Sequence, residues 1–339
     1  MRRPSQLASP VVLVLGRVDI EELLDLDELI DALAHAMADL SAGRASVPDR
    51  VAALVQESDG LLAAMPGYTP SAGALASKLV TLFPRNAGTD IPTHQAVIVV
   101  FDDENGRPTA LLDGTAITAA RTGAVSALAT RLLAREDSST IAILGTGVQA
   151  RSHARAVTRV REFKELRVAG RDPTKAQKLA SELAGQLDLT IRAVASFKEA
   201  CEGADVVCAA THAREPVVRR EWLFPGAHVN SVGYDPGGRE VDDATIVDAL
   251  VVVESRATAL APAPAGSNDL LTPIERGLIG AEHVHAELGE LIDAKKSGRT
   301  SAQEITLYKS VGVAVQDGAA AALVLRAASE RGRGHEIEI

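Results

Sequence analysis

The spacing of hydrophobic positions changes along the chain and divides it into three parts. Over residues 20–42, leucines and isoleucines recur at helical intervals among acidic residues, which predicts one amphipathic helix. Over residues 50–114, short apolar or alternating runs replace this pattern, and a turn signal at residues 104–107 separates the last two runs. This second part is therefore predicted to be an antiparallel sheet.

The third part alternates between strand-like and helix-like segments. Residues 117–134 are rich in small side chains and predict a helix that packs closely on a neighbouring element. The alternation beyond it is typical of a parallel sheet with helices on both faces. The last helix, near residues 311–329, is predicted to return to the first part of the chain. The strands predicted for this sheet are IAILG, LRVAG, TIRAV, DVVCAA, HVNSVG and LVVVES, and EITLY is a further strand candidate beyond them.

Length, charge and cysteine content narrow the class of protein. A chain of 339 residues that is 46% hydrophobic can form two cores, built mainly of aliphatic residues because aromatics make up only 3%. The net charge of -10 argues against nucleic acid or an anionic membrane as a partner. Cys201 and Cys208 form no C-x-x-C pair, so we expect buried thiols in a reducing compartment. The early apolar run is too short for a secretion signal or a membrane span, and a cytoplasmic protein is predicted.

A glycine-rich turn at residues 145–150 carries the clearest chemical signal. The sequence G-x-G-x-x-A follows the strand IAILG and leads into a helix-compatible segment, and LRVAG supplies the second strand of a βαβ unit. Such a turn lets a pyrophosphate contact backbone N–H groups at a helix N-terminus. We therefore predict a dinucleotide cofactor.

The end of the second strand bears on which nicotinamide dinucleotide binds. An acidic side chain there accepts from a ribose 2′-hydroxyl, whereas an arginine receives a 2′-phosphate. Here the strand ends at Gly170 without a carboxylate, and Arg171 follows, so NADP(H) is favoured over NAD(H). Asp172 comes next and could turn towards a ribose, and Arg171 could instead be a solvated loop residue.

Three basic residues in the predicted sheet and the helix after it require an explanation. Lys78 interrupts the apolar run LASKLVTLF, where an unpaired buried ammonium would be costly. Arg50 opens a strand, and Arg121 lies in the helix of small residues. Each could be a surface charge, but three convergent cations would form a clamp for a carboxylate.

Several motifs in order along the chain resemble the ornithine cyclodeaminase/mu-crystallin family. They are MPGY, SKLVTLFPRN, PTHQAV, LLDGTAITAARTGAVSALA, ILGTGVQARSH and YKSVGVAVQD, and the resemblance extends over about residues 50–320. It implies an α/β protein with a Rossmann-type dinucleotide-binding domain at residues 135–304. It also implies an α+β domain for substrate binding and dimerisation, made of residues 1–134 with about 305–339, and hence a homodimer.

The resemblance also assigns site residues by matching position. Arg50, Lys78 and Arg121 correspond to the basic residues around the substrate carboxylate. His94 and Ser310 match cofactor-lining stretches, although a satisfied strand histidine and a turn hydroxyl would explain them equally well. The full set of predicted cofactor-binding residues is His94, Thr122, Gly145, Thr146, Gly147, Val148, Gln149, Arg171, Thr211, Val232 and Ser310. No metal site is predicted, because His283 and His285 do not share one helix face.

The chemistry that the resemblance implies is hydride transfer between a nicotinamide and the α-carbon of an amino acid or its imine. Asp235 lies near the acid that handles amine protons in cyclodeaminases, but the loop is one residue shorter, and an Asp-Pro turn would also account for it. SKLVTLFP, and YKSVG with Lys309 in place of an aspartate, are closer to the imine reductases of the family.

We therefore predict an NAD(P)H-dependent ketimine or pyrroline-2-carboxylate reductase in which Lys78 and Asp235 are catalytic. An ornithine cyclodeaminase, an alanine dehydrogenase-like enzyme and a non-catalytic mu-crystallin-like NADPH- or ligand-binding protein remain alternatives.

Overall fold

The protein contains two β-sheets, as seen in a computed structural model that describes residues 11–262 and 265–339. The first ten residues of the predicted first domain lie outside the described residues. The elements that precede the parallel sheet are, in chain order, β1 (Val11–Leu15), α1 (Arg17–Leu23), α2 (Leu26–Ser41), β2 (Val51–Val55), β3 (Gly60–Thr69), β4 (Ala74–Leu82), β5 (His94–Phe101), β6 (Pro108–Asp113) and α3 (Gly114–Leu133).

The elements that follow alternate as the sequence indicates. They are β7 (Thr140–Leu144), α4 (Val148–Val157), β8 (Glu165–Ala169), α5 (Pro173–Ala184), β9 (Thr190–Ala193), α6 (Phe197–Cys201), β10 (Val206–Ala209), β11 (His228–Ser231), α7 (Asp243–Asp248), β12 (Leu250–Val253), α8 (Arg256–Ala259), α9 (Asn268–Glu275), β13 (Val284–Glu287), α10 (Leu288–Ile292), β14 (Thr306–Lys309), α11 (Ala314–Arg331) and β15 (His335–Glu338).

The first sheet has seven strands in the order β15-β1-β6-β5-β4-β3-β2. Strands β2 to β6 are antiparallel, which confirms the prediction for residues 50–114. One face is covered by α2, α3 and α11, so the last helix does return to the first part of the chain. The other face leaves apolar side chains exposed, among them Leu62, Leu79 and Val97.

The N-terminal helical region departs from the sequence prediction. The single helix predicted over residues 20–42 is two helices, α1 and α2, because Leu24 is extended and Asp25 starts a new helix. The Asp25 carboxylate accepts hydrogen bonds from the backbone N–H groups of Asp27 and Glu28, both at 2.9 Å. An aspartate that caps a helix in this way stabilises a new N-terminus within a continuous apolar pattern.

The second sheet is parallel throughout, in the order β13-β12-β14-β11-β10-β7-β8-β9. All six strands predicted for this sheet are confirmed, and the candidate EITLY also contains a strand. The boundary predicted near residue 305 is wrong by one strand, because β14 hydrogen-bonds between β11 and β12 inside this sheet. The strand order reverses between β7 and β10, which is where open α/β sheets bind ligands.

Small residues bring the two sheets' helices close together. A Cβ atom at Gly123 of α3 would collide with Ser152 of α4, so only glycine allows this approach. Both cysteines are buried and free, and burial raises the pKa of each thiol to about 12. Within the described ranges, no helix is long and apolar enough to cross a membrane.

Candidate active site

The glycine turn lies at the point where the strand order reverses. Gly145 follows β7 with a φ of +119°, a conformation that side chains other than glycine rarely adopt. A Cβ atom there would also collide with the carbonyl oxygen of Ala210, which directly follows the neighbouring strand β10. Glycine is therefore needed at this position for two independent reasons.

The next turn residues form a cradle that fits a dinucleotide. Gly147 caps the N-terminus of α4, and a Cβ atom there would meet nothing within 4 Å, so its backbone faces open space. Gly170 at the end of β8 leaves room for Thr146, whose Cγ2 would lie 2.7 Å from a Cβ atom at that position. A helix N-terminus with an unobstructed backbone is suited to a pyrophosphate.

Arg171 and Asp172 are used differently in the structure. Arg171 is exposed directly after β8. The Asp172 carboxylate accepts from the backbone N–H groups of Thr174 and Lys175 at 2.9 and 3.3 Å and thereby caps α5. The acidic side chain nearest the predicted ribose position is therefore already engaged, whereas the arginine is open to solvent.

Other predicted cofactor residues lie at the same edge of the parallel sheet. Thr211, Val232 and Ser310 follow β10, β11 and β14, respectively. The Thr211 side chain packs 3.5 Å from where a Gly145 Cβ would lie. Thr122 is separate from these loops, because it is buried on α3 and donates to the Thr118 carbonyl oxygen at 2.7 Å. The fold thus brings most of the predicted set to one edge.

Two histidines stack between the sheets. His94 begins β5, and its ring lies 5.8 Å from that of His212 with an angle of 13° between the ring planes. The Nδ1 atom of His212 donates to the Tyr234 carbonyl oxygen at 2.8 Å. Loss of hydration, together with His212 and Lys78 nearby, lowers the pKa of His94, although part of its ring remains accessible to solvent. We therefore expect a neutral imidazole there.

The three predicted cations come together beside this edge. Lys78 on β4 is buried, and its Nζ lies 2.7 Å from Oδ2 of Asp317 on α11. Arg121 on α3 reaches the other oxygen of the same carboxylate, with Nε to Oδ1 at 3.2 Å. Arg50 donates to the carbonyl oxygens of Val311 and Gly312 at 3.3 and 2.9 Å.

Part of each arginine's donor capacity stays available. Arg121 uses Nε on Asp317 and Nη1 on Gln316 Oε1, at 3.2 and 2.7 Å. Arg50 uses only Nη2 in its two bonds to backbone carbonyls. Among the described residues, the other guanidinium nitrogens have no hydrogen-bond partner, so both arginines can still bind a carboxylate.

A second buried carboxylate connects this cluster to the parallel sheet. Glu254 directly follows β12 and is fully buried. It accepts from the Ser310 hydroxyl at 2.6 Å and from the Gly312 N–H at 3.2 Å. It also accepts from the Gln316 amide at 3.3 Å, and Gln316 in turn accepts from Arg121. The turn after β14 is therefore fixed against α11 and α3.

The formal charges of the cluster do not cancel. Lys78, Arg121 and Arg50 provide three positive charges, whereas Asp317 and Glu254 provide two negative ones. Burial, with Arg121 and Arg50 nearby, lowers the pKa of Lys78 to about 8, although the Asp317 carboxylate acts in the opposite direction. One uncompensated positive charge in a buried position favours an anionic ligand such as a carboxylate.

Asp235 lies in a tight turn, as expected for the Asp-Pro turn considered in the sequence analysis. Its Oδ1 accepts from the Gly237 N–H at 2.9 Å, which is the hydrogen bond of an Asx turn. Asn268 holds the same loop by donating to the Pro236 and Gly238 carbonyl oxygens at 3.1 and 3.2 Å. The described structure thus gives Asp235 a local structural role.

Lys309 belongs to a different buried ion pair. Its Nζ lies 2.8 Å from Asp269 and 3.0 Å from the Gly233 carbonyl oxygen. Asp269 accepts from the backbone N–H of Glu240 at 2.9 Å, and Glu240 accepts from the Gly233 N–H at 2.7 Å. These contacts hold the backbone of Gly233 in the loop that follows β11.

Sequence reasoning missed the acidic partners of the cations. Asp317 was inside the motif YKSVGVAVQD, and Glu254 ended the strand LVVVES. A carboxylate in an alanine-rich helix, or at the end of a buried strand, is a signal of the same kind as Lys78 in its apolar run. His212 carried no comparable signal, because nothing local indicates that it stacks on His94.

Comparison with known proteins gives matches over nearly the whole chain. The model of the ornithine cyclodeaminase/mu-crystallin family matches residues 11–332. The ketimine reductase mu-crystallin of Mus musculus is 41% identical over 300 residues, which cover 87% of this chain and 90% of the mouse protein.

Solved structures agree with this match. The Thermococcus litoralis Delta(1)-pyrroline-2-carboxylate reductase, in complex with NADH and L-proline, is 40% identical with a TM-score of 0.92, and the match covers 96% of this chain and all (100%) of that one. An archaeal alanine dehydrogenase dimer with bound NAD is 31% identical with a TM-score of 0.89. That match covers 97% of this chain and 100% of the alanine dehydrogenase chain.

Proposed function

The chain belongs to the ornithine cyclodeaminase/mu-crystallin family, and on that premise we propose that it reduces the C=N bond of a small α-imino acid. The family and the relatives make it an NAD(P)-dependent enzyme of the reductase and cyclodeaminase type. A ketimine or pyrroline-2-carboxylate reductase is the predicted activity. Two relatives carry these names.

The observation that carries the proposal is the cation cluster beside the turn after β14, at the edge of the parallel sheet that also carries the glycine turn. The substrate carboxylate would bind the free guanidinium donors of Arg50 and Arg121, which the excess positive charge of the cluster favours. Lys78 would then point its ammonium at the imine nitrogen of the same small molecule. Anchoring by two arginines leaves the lysine free to act in chemistry.

The chain's own residues would handle the proton. When bound at the glycine turn, the nicotinamide cofactor supplies the hydride that reaches the imine carbon. Lys78 would donate a proton to the imine nitrogen, and its pKa near 8 matches proton donation close to neutral pH. The neutral His94, stacked on His212, would border the nicotinamide side of the site.

The test is a turnover assay on the purified protein. Oxidation of NADPH and NADH is followed by absorbance with pyrroline-2-carboxylate, piperideine-2-carboxylate or pyruvate plus ammonia. Ornithine with NAD is assayed in parallel for release of ammonia. We expect cofactor oxidation that depends on an imine. Ammonia release from ornithine without imine reduction would refute the reductase proposal, and cofactor binding without turnover would favour the ligand-binding alternative.

Asp235 distinguishes the reductase from the cyclodeaminase. A cyclodeaminase needs a base that takes a proton from the attacking amine, and such a base raises the rate by about 100-fold to 10,000-fold. Reduction of a preformed imine needs no such base. We expect Asp235→Asn to lower kcat for imine reduction by less than about tenfold, because the asparagine can keep the bond to the Gly237 N–H. Asp102→Asn is the matched control, since Asp102 also accepts backbone bonds in a turn. A loss of 100-fold or more at Asp235 alone would contradict this role.

A preference for NADP(H) is part of the proposal and depends on Arg171. The exposed guanidinium can pair with a 2′-phosphate, and the Asp172 carboxylate is engaged as the cap of α5. We expect Arg171→Ala to lower kcat/KM for NADPH by about 10-fold to 100-fold, which corresponds to one charge-assisted interaction. The kcat/KM for NADH should stay nearly unchanged. Lys164→Ala, at the other end of β8, is the control, and equal losses with both cofactors would contradict the assignment.

A homodimer is also proposed, with the open face of the first sheet as its interface. Leu79 and Val97 are directly paired across β4 and β5 and are exposed on the face opposite Lys78, and Leu62 on β3 is exposed beside them. A contiguous apolar face of this kind is typical of a protein–protein interface. The dimeric archaeal alanine dehydrogenase supports this proposal. A cytoplasmic location stays a prediction from the sequence.

A further inference from the structure

Asp317 is shared by two of the three cations in the candidate site. It lies on α11 with only 2% of its surface exposed. Its two oxygens face different partners, Lys78 Nζ at 2.7 Å and Arg121 Nε at 3.2 Å. We propose that Asp317 is a positioning residue that keeps Lys78 protonated and oriented for proton donation. This inference rests on the proposed imine reductase function.

The electrostatic surroundings of Lys78 support this role. Arg121 on α3 and Arg50 before β2 both repel its positive charge, and burial also disfavours the ammonium form. His94 on β5 is a further titratable neighbour, and its own lowered pKa keeps the imidazole neutral, so it adds neither a positive nor a negative charge beside the lysine. Asp317 is the group that favours the ammonium. Without it, an ammonium beside two guanidinium groups would lose its proton near neutral pH.

The packing of α11 holds the carboxylate in place. A Cβ atom at Gly67 of β3 would lie 2.9 Å from the Ala314 Cβ at the start of α11. One turn further, a Cβ atom at Gly318 would lie 3.0 Å from the Thr69 hydroxyl. These close approaches press the first turns of α11 against β3. Asp317 therefore has little freedom to move away from the lysine.

The pH dependence of kcat/KM for the imine tests the role directly, because kcat/KM reports ionisations of the free enzyme. Because the protonated lysine is the active form, kcat/KM should fall as pH rises through about 8. In Asp317→Asn this alkaline limb should move to lower pH by about one unit or more. Asp269→Asn is the matched control, since Asp269 is also a buried partner of a buried lysine, Lys309. The control should leave the pH of the limb unchanged, even if it lowers stability. An unshifted limb in Asp317→Asn would overturn the proposal.

A second measurement needs no substrate and no turnover. Asp317→Asn leaves Lys78 and Arg121 without their shared carboxylate, so its melting temperature should fall or the variant should fail to fold. Adding Lys78→Met to Asp317→Asn removes a buried amine that would otherwise have to give up its proton or stay charged without a partner, and should recover at least half of the lost melting temperature. No recovery would show that Asp317 acts through packing alone and would overturn the proposal. A protein that shows this rescue but reduces no imine would refute the proposed function and leave the charge coupling intact.

Discussion

Lys78→Met is expected to lower kcat for imine reduction by about 100-fold to 10,000-fold, the range for loss of a positioned general acid. Methionine keeps an unbranched apolar side chain in the buried position on β4 but cannot donate a proton. Asp317 keeps Arg121 as a partner, so the substitution does not leave an isolated buried charge. Steady-state kinetics at saturating imine, with melting temperature measured alongside, check this result.

Two further variants show which property of the lysine matters. Lys78→Arg keeps a positive charge near Asp317, but a guanidinium does not release its proton near neutral pH. We therefore expect it to retain substrate affinity better than Lys78→Met while staying slow. Lys175→Met on the exposed surface of α5 controls for loss of a lysine in general. Wild-type kcat in Lys78→Met would refute a role in chemistry.

Gly145→Ala is expected to weaken binding of the nicotinamide cofactor by up to about 100-fold. The φ of +119° and the collision with the Ala210 carbonyl oxygen force the turn to move. Backbone strain of this type costs about 1–3 kcal/mol, and 3 kcal/mol corresponds to roughly a 100-fold change in affinity. Titration of the protein with NADPH, followed by fluorescence, gives the dissociation constant.

Alanine substitutions at two other glycines serve as controls for Gly145→Ala. Gly185→Ala, after α5, has an ordinary right-handed conformation and no contact closer than 3.6 Å, so it should bind cofactor like the wild type. Gly147→Ala meets nothing in the protein, so its melting temperature should not change. It should still weaken cofactor binding if the pyrophosphate approaches its backbone. Normal affinity in Gly145→Ala would mean that the cofactor does not use this turn.

Local patterns were sufficient for much of the fold. The central predicted strands of the parallel sheet, such as β7, β10 and β12, are apolar, β-branched runs that are buried on both faces, which can be recognised within each segment. The turn at residues 145–150 could also be recognised locally, from its glycine spacing between a strand and a helix, and Gly145 is required there by its positive φ. The break between α1 and α2 was missed, because the apolar pattern continues across Asp25 and only the cap reveals a new helix.

The sequence by itself determined the class of fold, the glycine turn and the unusual character of Lys78, because periodicity, positive φ and a charge in an apolar run can all be recognised within a few residues. Only the tertiary structure decided which side chains pair with Lys78 and Arg121. Asp317 is 239 positions from Lys78 and 196 from Arg121, and only the packing of α11 on the first sheet brings them together. The placement of β14 between β11 and β12, and the stack of His94 on His212, likewise depend on contacts between distant segments. A pattern read along the chain carries no information about which distant side chain will lie opposite, because that is set by how whole helices and sheets pack.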